Sequence, residues 1–398
     1  ARSRGIRAGM PVFKACRLCP EATCVGGSFS RYQEFSRRVF DIFEKVSPKV
    51  EPASLDEAYI DLKGCRRLYS TLSATPLGRL PFGRVAGETY VRRGGEAIPP
   101  AQRRLIPPDC RWIAAVGMRI KKAIRERTGL PLSIGCGANK LVAALACDFA
   151  KPDGLALVVP GSEDSFMLSR RLEDIPGFGR AVRAKFRDWN VKTVADARRL
   201  PLSLLSASFG ERRGESLYSA LRGKGAEELQ EPERPRSLSR ESTFWSASND
   251  PDFVEAMLCS LTERVGNALR RQQLVGRTIG VKLRYANFDT VRSSRSLARP
   301  TCSDNEILEV ARRLLHRRWS RSRRLRLIGV NISRLAPGKE RQGRLFKDDR
   351  ERRKRVDECL DGLREKFGFD VIHRGPTLEL NQRAAEEQAT YESQKPAP

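Results

Sequence analysis

Between residues 239 and 335 the chain reads as strand, helix, strand, strand, helix, strand, at 239–244, 252–271, 278–285, 290–297, 305–317 and 325–335. Strands place their apolar residues at every second position and helices at every third and fourth, which is what separates the two. The resulting β-α-β-β-α-β order is the split βαβ arrangement. Val254, Met257, Leu258, Leu261, Val265 and Leu269 form one stripe on the first helix, the side that meets a sheet. In Val281-Lys282-Leu283-Arg284-Tyr285 apolar and basic residues alternate, so one sheet face meets the helices and the other shows Lys282 and Arg284. Arg292 and Arg295 on the next strand add to a basic surface.

That surface is one part of a chain-wide excess. The 398 residues hold 75 Lys and Arg against 48 acidic residues, a formal charge of +27. So large a charge implies a polyanionic partner, nucleic acid before an anionic membrane. No apolar run reaches the length of a membrane span, and no basic-then-apolar leader points to export, so the expected compartment is the cytoplasm. Ten cysteines in that setting read as reduced thiols. Cys16, Cys19 and Cys24 are spaced C-x2-C-x4-C, but a structural zinc wants four ligands and the only histidines, His316 and His373, are far off in sequence. Idle or buried thiols are the better reading.

The first part of the chain mixes helices and strands. A helix is expected at 31–47, with Phe35, Val39, Ile42, Phe43 and Val46 on one face. Then comes Ala53-Ser54-Leu55-Asp56-Glu57-Ala58-Tyr59-Ile60-Asp61-Leu62, two strand-like pieces meeting at adjacent carboxylates. Neighbours in a regular strand point to opposite faces, so the backbone must turn beside Asp56 and Glu57 if both are to serve one site. Such a pair suits Mg²⁺ chemistry on a nucleoside triphosphate, where a few carboxylates and the substrate phosphates share the ion. Residues 70–109 show little periodicity and read as a long irregular insertion. Further on stand Ser133-Ile134-Gly135, Asn139-Lys140, Asp148 and Lys151-Pro152-Asp153-Gly154, where Lys151 closes a helix as a point charge suited to phosphate. Ile175-Pro176-Gly177-Phe178-Gly179 before a helix is the hairpin of a helix-hairpin-helix, which offers backbone N–H groups to DNA phosphates without reading bases. Phe209 to Gly214 reads as a weaker second copy.

The 53–62 decapeptide and the 133–154 segment together resemble the two palm signatures of Y-family translesion DNA polymerases, and most closely those of the bacterial DNA polymerase IV type. The resemblance covers most of the chain. It implies an α+β multidomain, right-hand polymerase: partial fingers at 1–29, palm at 30–162, helix-hairpin-helix thumb at 163–229, linker at 230–238, a β-α-β-β-α-β little finger at 239–336 and a tail at 337–398. It implies that Asp56 and Glu57 hold two Mg²⁺ ions, that Arg2 and Lys151 contact the triphosphate, and that Gly177, Gly179, Lys282, Arg284, Arg292 and Arg295 contact primer-template DNA. Gln342-Gly343-Arg344-Leu345-Phe346 resembles the pentapeptide with which such polymerases dock on the sliding clamp, Gln342, Leu345 and Phe346 being the anchors. The sequence departs from the family at Ala144, usually basic, and Cys147, usually Ser. The family also takes a third carboxylate, and a bulky residue that excludes ribonucleotides, from a strand near its start. Neither has a counterpart here, and Ala1-Arg2 aligns after them, so the chain is expected to be N-terminally shortened and could be inactive as given. The competing expectations are a non-catalytic DNA-binding relative that recruits other factors, and a helix-hairpin-helix nuclease, which would shorten DNA and not extend it.

Overall fold

The computed structural model describes residues 1–74, 82–93, 103–230, 234–338, 349–372, 374–378 and 380. The chain divides into two compact units, Ala1–Pro232 and Glu233–Pro398.

In the first unit, helix α1 (Phe29–Glu44) leads into a hairpin of β1 (Val50–Pro52) and β2 (Ala58–Ile60). Then follow β3 (Phe82–Arg84), β4 (Thr89–Arg92), β5 (Arg103–Arg104), α2 (Pro108–Thr128), β6 (Ile134–Cys136), α3 (Lys140–Ala150) and β7 (Leu155–Val158). A five-stranded sheet runs β5-β3-β4-β7-β6, and only the β6–β7 pair is parallel. This corrects the reading of residues 70–109 as an irregular insertion. Thr89-Tyr90-Val91-Arg92 pairs with Leu155 to Val158 as an inner strand of the sheet. Thr, Tyr and Val favour strands, but four residues between Gly- and Arg-rich stretches leave no period to detect. Helix α2 also starts within that range.

Helix α2 is buried on two sides. Cys110 and Ala114 pack against Tyr90, Leu155 and Leu157 of the sheet. Trp112, Val116, Ile120 and Ile124 pack against Ile42 and Phe43 of α1, with Ile60 of the hairpin alongside. Of the face expected on α1, Phe35 stays out of this core and lies half-buried under the Arg38 guanidinium, while Phe40 joins it. Helix α3 lies against the sheet at Gly135, where an added Cβ would fall 2.1 Å from the Ala143 oxygen and the Cys147 nitrogen.

The rest of the unit is helical: α4 (Arg180–Asp188), α5 (Leu202–Phe209) and α6 (Glu211–Leu221). Phe178 and Phe186 meet edge to face with centroids 5.2 Å apart, and Trp189 and Phe209 close the cluster. This core is continuous with that of α3, through Val142, Leu145 and Ala146. Each fully buried Val, Leu or Phe contributes about 1.5–3 kcal/mol of hydrophobic stabilisation before entropy is counted.

The second unit has the expected order: β8 (Ser237–Ser248), α7 (Pro251–Arg271), β9 (Leu274–Tyr285), β10 (Thr290–Thr301), α8 (Asp304–Arg318) and β11 (Leu325–Pro337). The sheet runs β10-β9-β11-β8, antiparallel throughout. All of the predicted α7 stripe packs on it, Met257 less deeply than the others. Helix α9 (Asp349–Phe367) joins this unit through buried charge. Its Asp361 accepts from Arg270 at 2.5 Å, its Arg364 lies 3.0 Å from Glu263, and Asp304 accepts from Arg270 at 2.8 Å. Removing one member would strand the others in a dry site, which costs more than the network gains over apolar packing.

Candidate active site and nucleic-acid surfaces

The backbone turns where the sequence requires it. Between β1 and β2, the Ala53 and Ser54 N–H groups both donate to the Glu57 carbonyl, at 2.9 and 3.1 Å. The loop between presents Asp56 and Glu57, both exposed. Ser54 Oγ donates to Asp56 Oδ1 at 2.5 Å and accepts from the Asp56 N–H at 3.2 Å, which fixes the carboxylate and leaves its second oxygen available. The donors here are hard oxygens. They fit magnesium, which binds by one or two carboxylates and completes its shell with water and substrate phosphates. Among the described residues no third Asp, Glu, His or Cys joins them to form a metal-holding group.

Lys151 caps the C-terminus of α3. Its ammonium donates to Asp148 Oδ1 at 2.7 Å. That hydrogen bond raises its pKa, burial opposes it, and the nearby Glu57 charge adds to the rise. So the structure brings Glu57 and Lys151 into one electrostatic neighbourhood. Arg2 lies in the 3-10 turn Arg2–Arg4, and its side chain is outside the described residues.

What holds the hairpin is a residue the sequence reading left unassigned. Lys140, the first residue of α3, donates to Glu51 Oε1 of β1 at 2.6 Å and lies 5.0 Å from the Tyr59 ring centroid of β2. Burial alone would raise the Glu51 carboxyl. The bonds from Lys140 and from the Gln230 N–H, with the Lys140 charge, reverse this and hold it below the usual range. Asn139 caps α3 by accepting from the Val142 N–H at 3.0 Å and donates its amide to the Gly223 carbonyl at 2.8 Å. The Lys140 N–H donates to the Ala226 carbonyl. The stretch after α6 thus returns to the hairpin. No spacing rule links Glu51 to Lys140 across 89 residues. Asp153 is likewise structural: Lys121 and Arg125 of α2 both donate to it at 2.7 Å.

The helix-hairpin-helix turn keeps Gly177 and Gly179 exposed on either side of buried Phe178. Gly177 has φ +92°, which only glycine adopts cheaply, and its carbonyl accepts from Arg213 at 3.3 Å. Gly179 precedes α4 as its N-terminal cap residue. The second copy expected at 209–214 is a tight joint between α5 and α6, turned at Gly210. Cys16 and Cys24 have their sulphurs 3.9 Å apart in the same unit.

In the second unit, alternation places Lys282 and Arg284 on the face away from the helices, since Val281, Leu283 and Tyr285 are in the core. Register puts Arg292 opposite Lys282, on the same face. It puts Arg295 opposite Ile279, a core residue, so Arg295 belongs to the other face and the expected basic surface loses it. The two arginines are three residues apart, and a strand repeats every two. Lys282 is committed: it donates to Glu241 Oε2 at 2.6 Å, across the intervening strand β11. That reach passes over Gly329, where an added Cβ would lie 2.7 Å from Glu241 Cγ. Arg284 donates to Thr290 Oγ1 at 3.0 Å. The rest of this face, through Ser239, Asn331, Gly280 and Ser294, is small and polar. A phosphate backbone can approach such a face closely. Gln342, Leu345 and Phe346 lie outside the described residues. Among those described, no helix is long and apolar enough to cross a membrane.

Residues 1–148 match the impB/mucB/samB family, residues 235–345 the C-terminal domain of that family, and residues 173–225 the DNA polymerase-iota thumb domain. A protein of Desulfatibacillum aliphaticivorans named DNA polymerase IV is 33% identical over 375 residues, 94% of this chain and 84% of its own. Another DNA polymerase IV, from Alkalilimnicola ehrlichii, is 32% identical over 87% of this chain and 86% of its own. Among solved structures, the Y-family DNA polymerase chimera Dbh-Dpo4(243-245)-Dbh shares the fold with a TM-score of 0.65, at 20% identity over 84% of this chain and 85% of that one.

Proposed function

The chain belongs to the impB/mucB/samB family of Y-family DNA polymerases, that of bacterial DNA polymerase IV, and we propose that it carries out template-directed, error-prone translesion DNA synthesis. The observation that carries this reading is the 53–57 loop, which presents two adjacent exposed carboxylates beside a lysine held at a helix end. Asp56 and Glu57 would hold the divalent metal, two Mg²⁺ ions. When bound, these would supply charge neutralisation for the transfer. Ser54 keeps Asp56 oriented for that task.

The reaction joins a primer 3′-hydroxyl to the α-phosphate of a deoxynucleoside triphosphate and releases pyrophosphate. Lys151 exchanges Asp148 for a triphosphate oxygen, and Arg2 is its partner. Positioning and charge supply most of the rate in such transfers. The Gly177–Gly179 turn and the Arg284–Arg292 face grip primer-template backbone, and the 342–346 segment docks on the sliding clamp, a reading that rests on sequence alone. Ten free thiols suit the cytoplasm. The test is incubation of the protein carrying the family's first strand with Mg²⁺, the four triphosphates and a primed template bearing a lesion. The expected result is a longer primer. A shortened primer would mark a nuclease, and binding without extension would mark a recruitment factor.

A further inference from the structure

One end of the second unit's sheet adds exposed aromatic rings to its arginines. Residues 317–326, joining α8 to β11, contain six arginines. Two of them are structural. Arg323 donates to Asp289 at 2.8 Å and Asn287 at 3.2 Å, which pins the β9–β10 turn. Arg324 donates to the Ala247 carbonyl at 2.7 Å, which pins the irregular end of β8.

Each pinned segment carries an exposed aromatic side chain. Phe288 in the turn is 63% exposed, and Trp245 in β8 is 78% exposed. Phe288 also has φ +68°. Hairpins of this kind prefer glycine at such a position, and a bulky residue there costs roughly 1–3 kcal/mol. Folding alone therefore argues against Phe288. Arg326 lies with its guanidinium 5.2 Å from the Phe288 ring centroid, and Arg317, Arg318 and Arg321 of the same connecting segment are exposed. Leu325 pairs with Tyr285 on one side and Ser248 on the other. The two aromatic segments thus flank one strand at the same end of the sheet, with the Ser248 and Tyr285 backbones about 10 Å apart.

Exposed rings at fixed positions among arginines are what unpaired bases and their phosphates require. We propose that this end of the sheet binds single-stranded DNA, stacking bases on Phe288 and Trp245 while Arg317, Arg318, Arg321 and Arg326 meet the phosphates. The site rests on the reading of the second unit as a DNA-binding domain, and it adds contact to unpaired bases to the backbone contact of the Arg284–Arg292 face.

The test compares Phe288→Ala, Trp245→Ala and Trp245→Phe with the unchanged protein. Binding of labelled oligo(dT) and of a blunt duplex is measured by anisotropy. Each alanine variant should weaken oligo(dT) binding about tenfold and leave duplex binding unchanged, and Trp245→Phe should restore most of the loss. Oligo(dT) binding that is unchanged, or lost in step with duplex binding, would overturn the site. Arg292→Ala serves as the control for the underlying reading: it should weaken duplex binding alone, and if it weakens neither, the DNA-binding reading itself fails.

Discussion

The β1–β2 hairpin and the sheet of the second unit solve opposite problems. The hairpin pairs residues 50–52 with 58–60 and holds its two carboxylates in the open. It has little stability of its own, since an isolated two-stranded hairpin is marginal in water. Its position is borrowed from α2 and α3, through the Ile60 contacts and the Lys140–Glu51 bond. The second sheet pairs strands of residues 274–285 and 290–301 and sits on a core of its own. Its polar face repeats along rigid strands. The exposed carboxylates thus sit on a short segment fixed from outside, and the broad polar face sits on a segment fixed from within.

That contrast breaks first at Gly135. Valine there would collide with the α3 backbone, which cannot yield as a side chain does. The expected cost is about 3 kcal/mol, a drop of roughly 10 °C in the transition followed through Trp112 and Trp189, with that of Trp245 and Trp319 unmoved. A shared shift would show that the units do not unfold separately. A smaller loss is expected at Lys151. Lys151→Ala should lower kcat/KM for the incoming nucleotide about 10- to 100-fold, the worth of one charged hydrogen bond. Asp148→Ala should cost far less, because it frees the lysine and removes no contact to substrate.

Lys140→Met tests whether the hairpin is held from outside. It should cost about 1.5–3 kcal/mol and change the acid response. The folded pKa of Glu51 lies below its unfolded one. Its contribution is therefore full above about pH 4.3 and disappears as pH falls through the folded value. Urea titrations between pH 3 and 6 should show that loss in the parent protein and a weaker one in the variant. The smallest effect belongs to the second sheet. Glu241→Gln releases Lys282, so duplex binding should tighten a few-fold with a slightly steeper salt dependence. No change would mean that Lys282 faces no phosphate.

Legibility followed the same division. The second sheet could be read from periodicity because its strands and helices are long, and its one error, Arg295, came from ignoring the two-residue period. The turn at 53–57 could be read only from a motif, since Asp56 and Glu57 have no pattern that marks them. Thr89 to Arg92 escaped notice because its strand is short and its partner lies at Leu155 to Val158. Lys140, which anchors the hairpin, was quoted within a signature but had no visible partner, because Glu51 is far away in sequence. Phe288 carried no signal at all until its backbone was seen.

The central claim is that the 53–57 loop carries the metal chemistry. Its most direct test is primer extension with Mg²⁺ by a parent protein that carries the family's first strand, beside its Asp56→Asn, Glu57→Gln double variant, with duplex binding measured on both. The account predicts extension by the parent, a loss of about a thousandfold or more in the variant, and equal binding. Equal extension by the two proteins, or none by either, would contradict it.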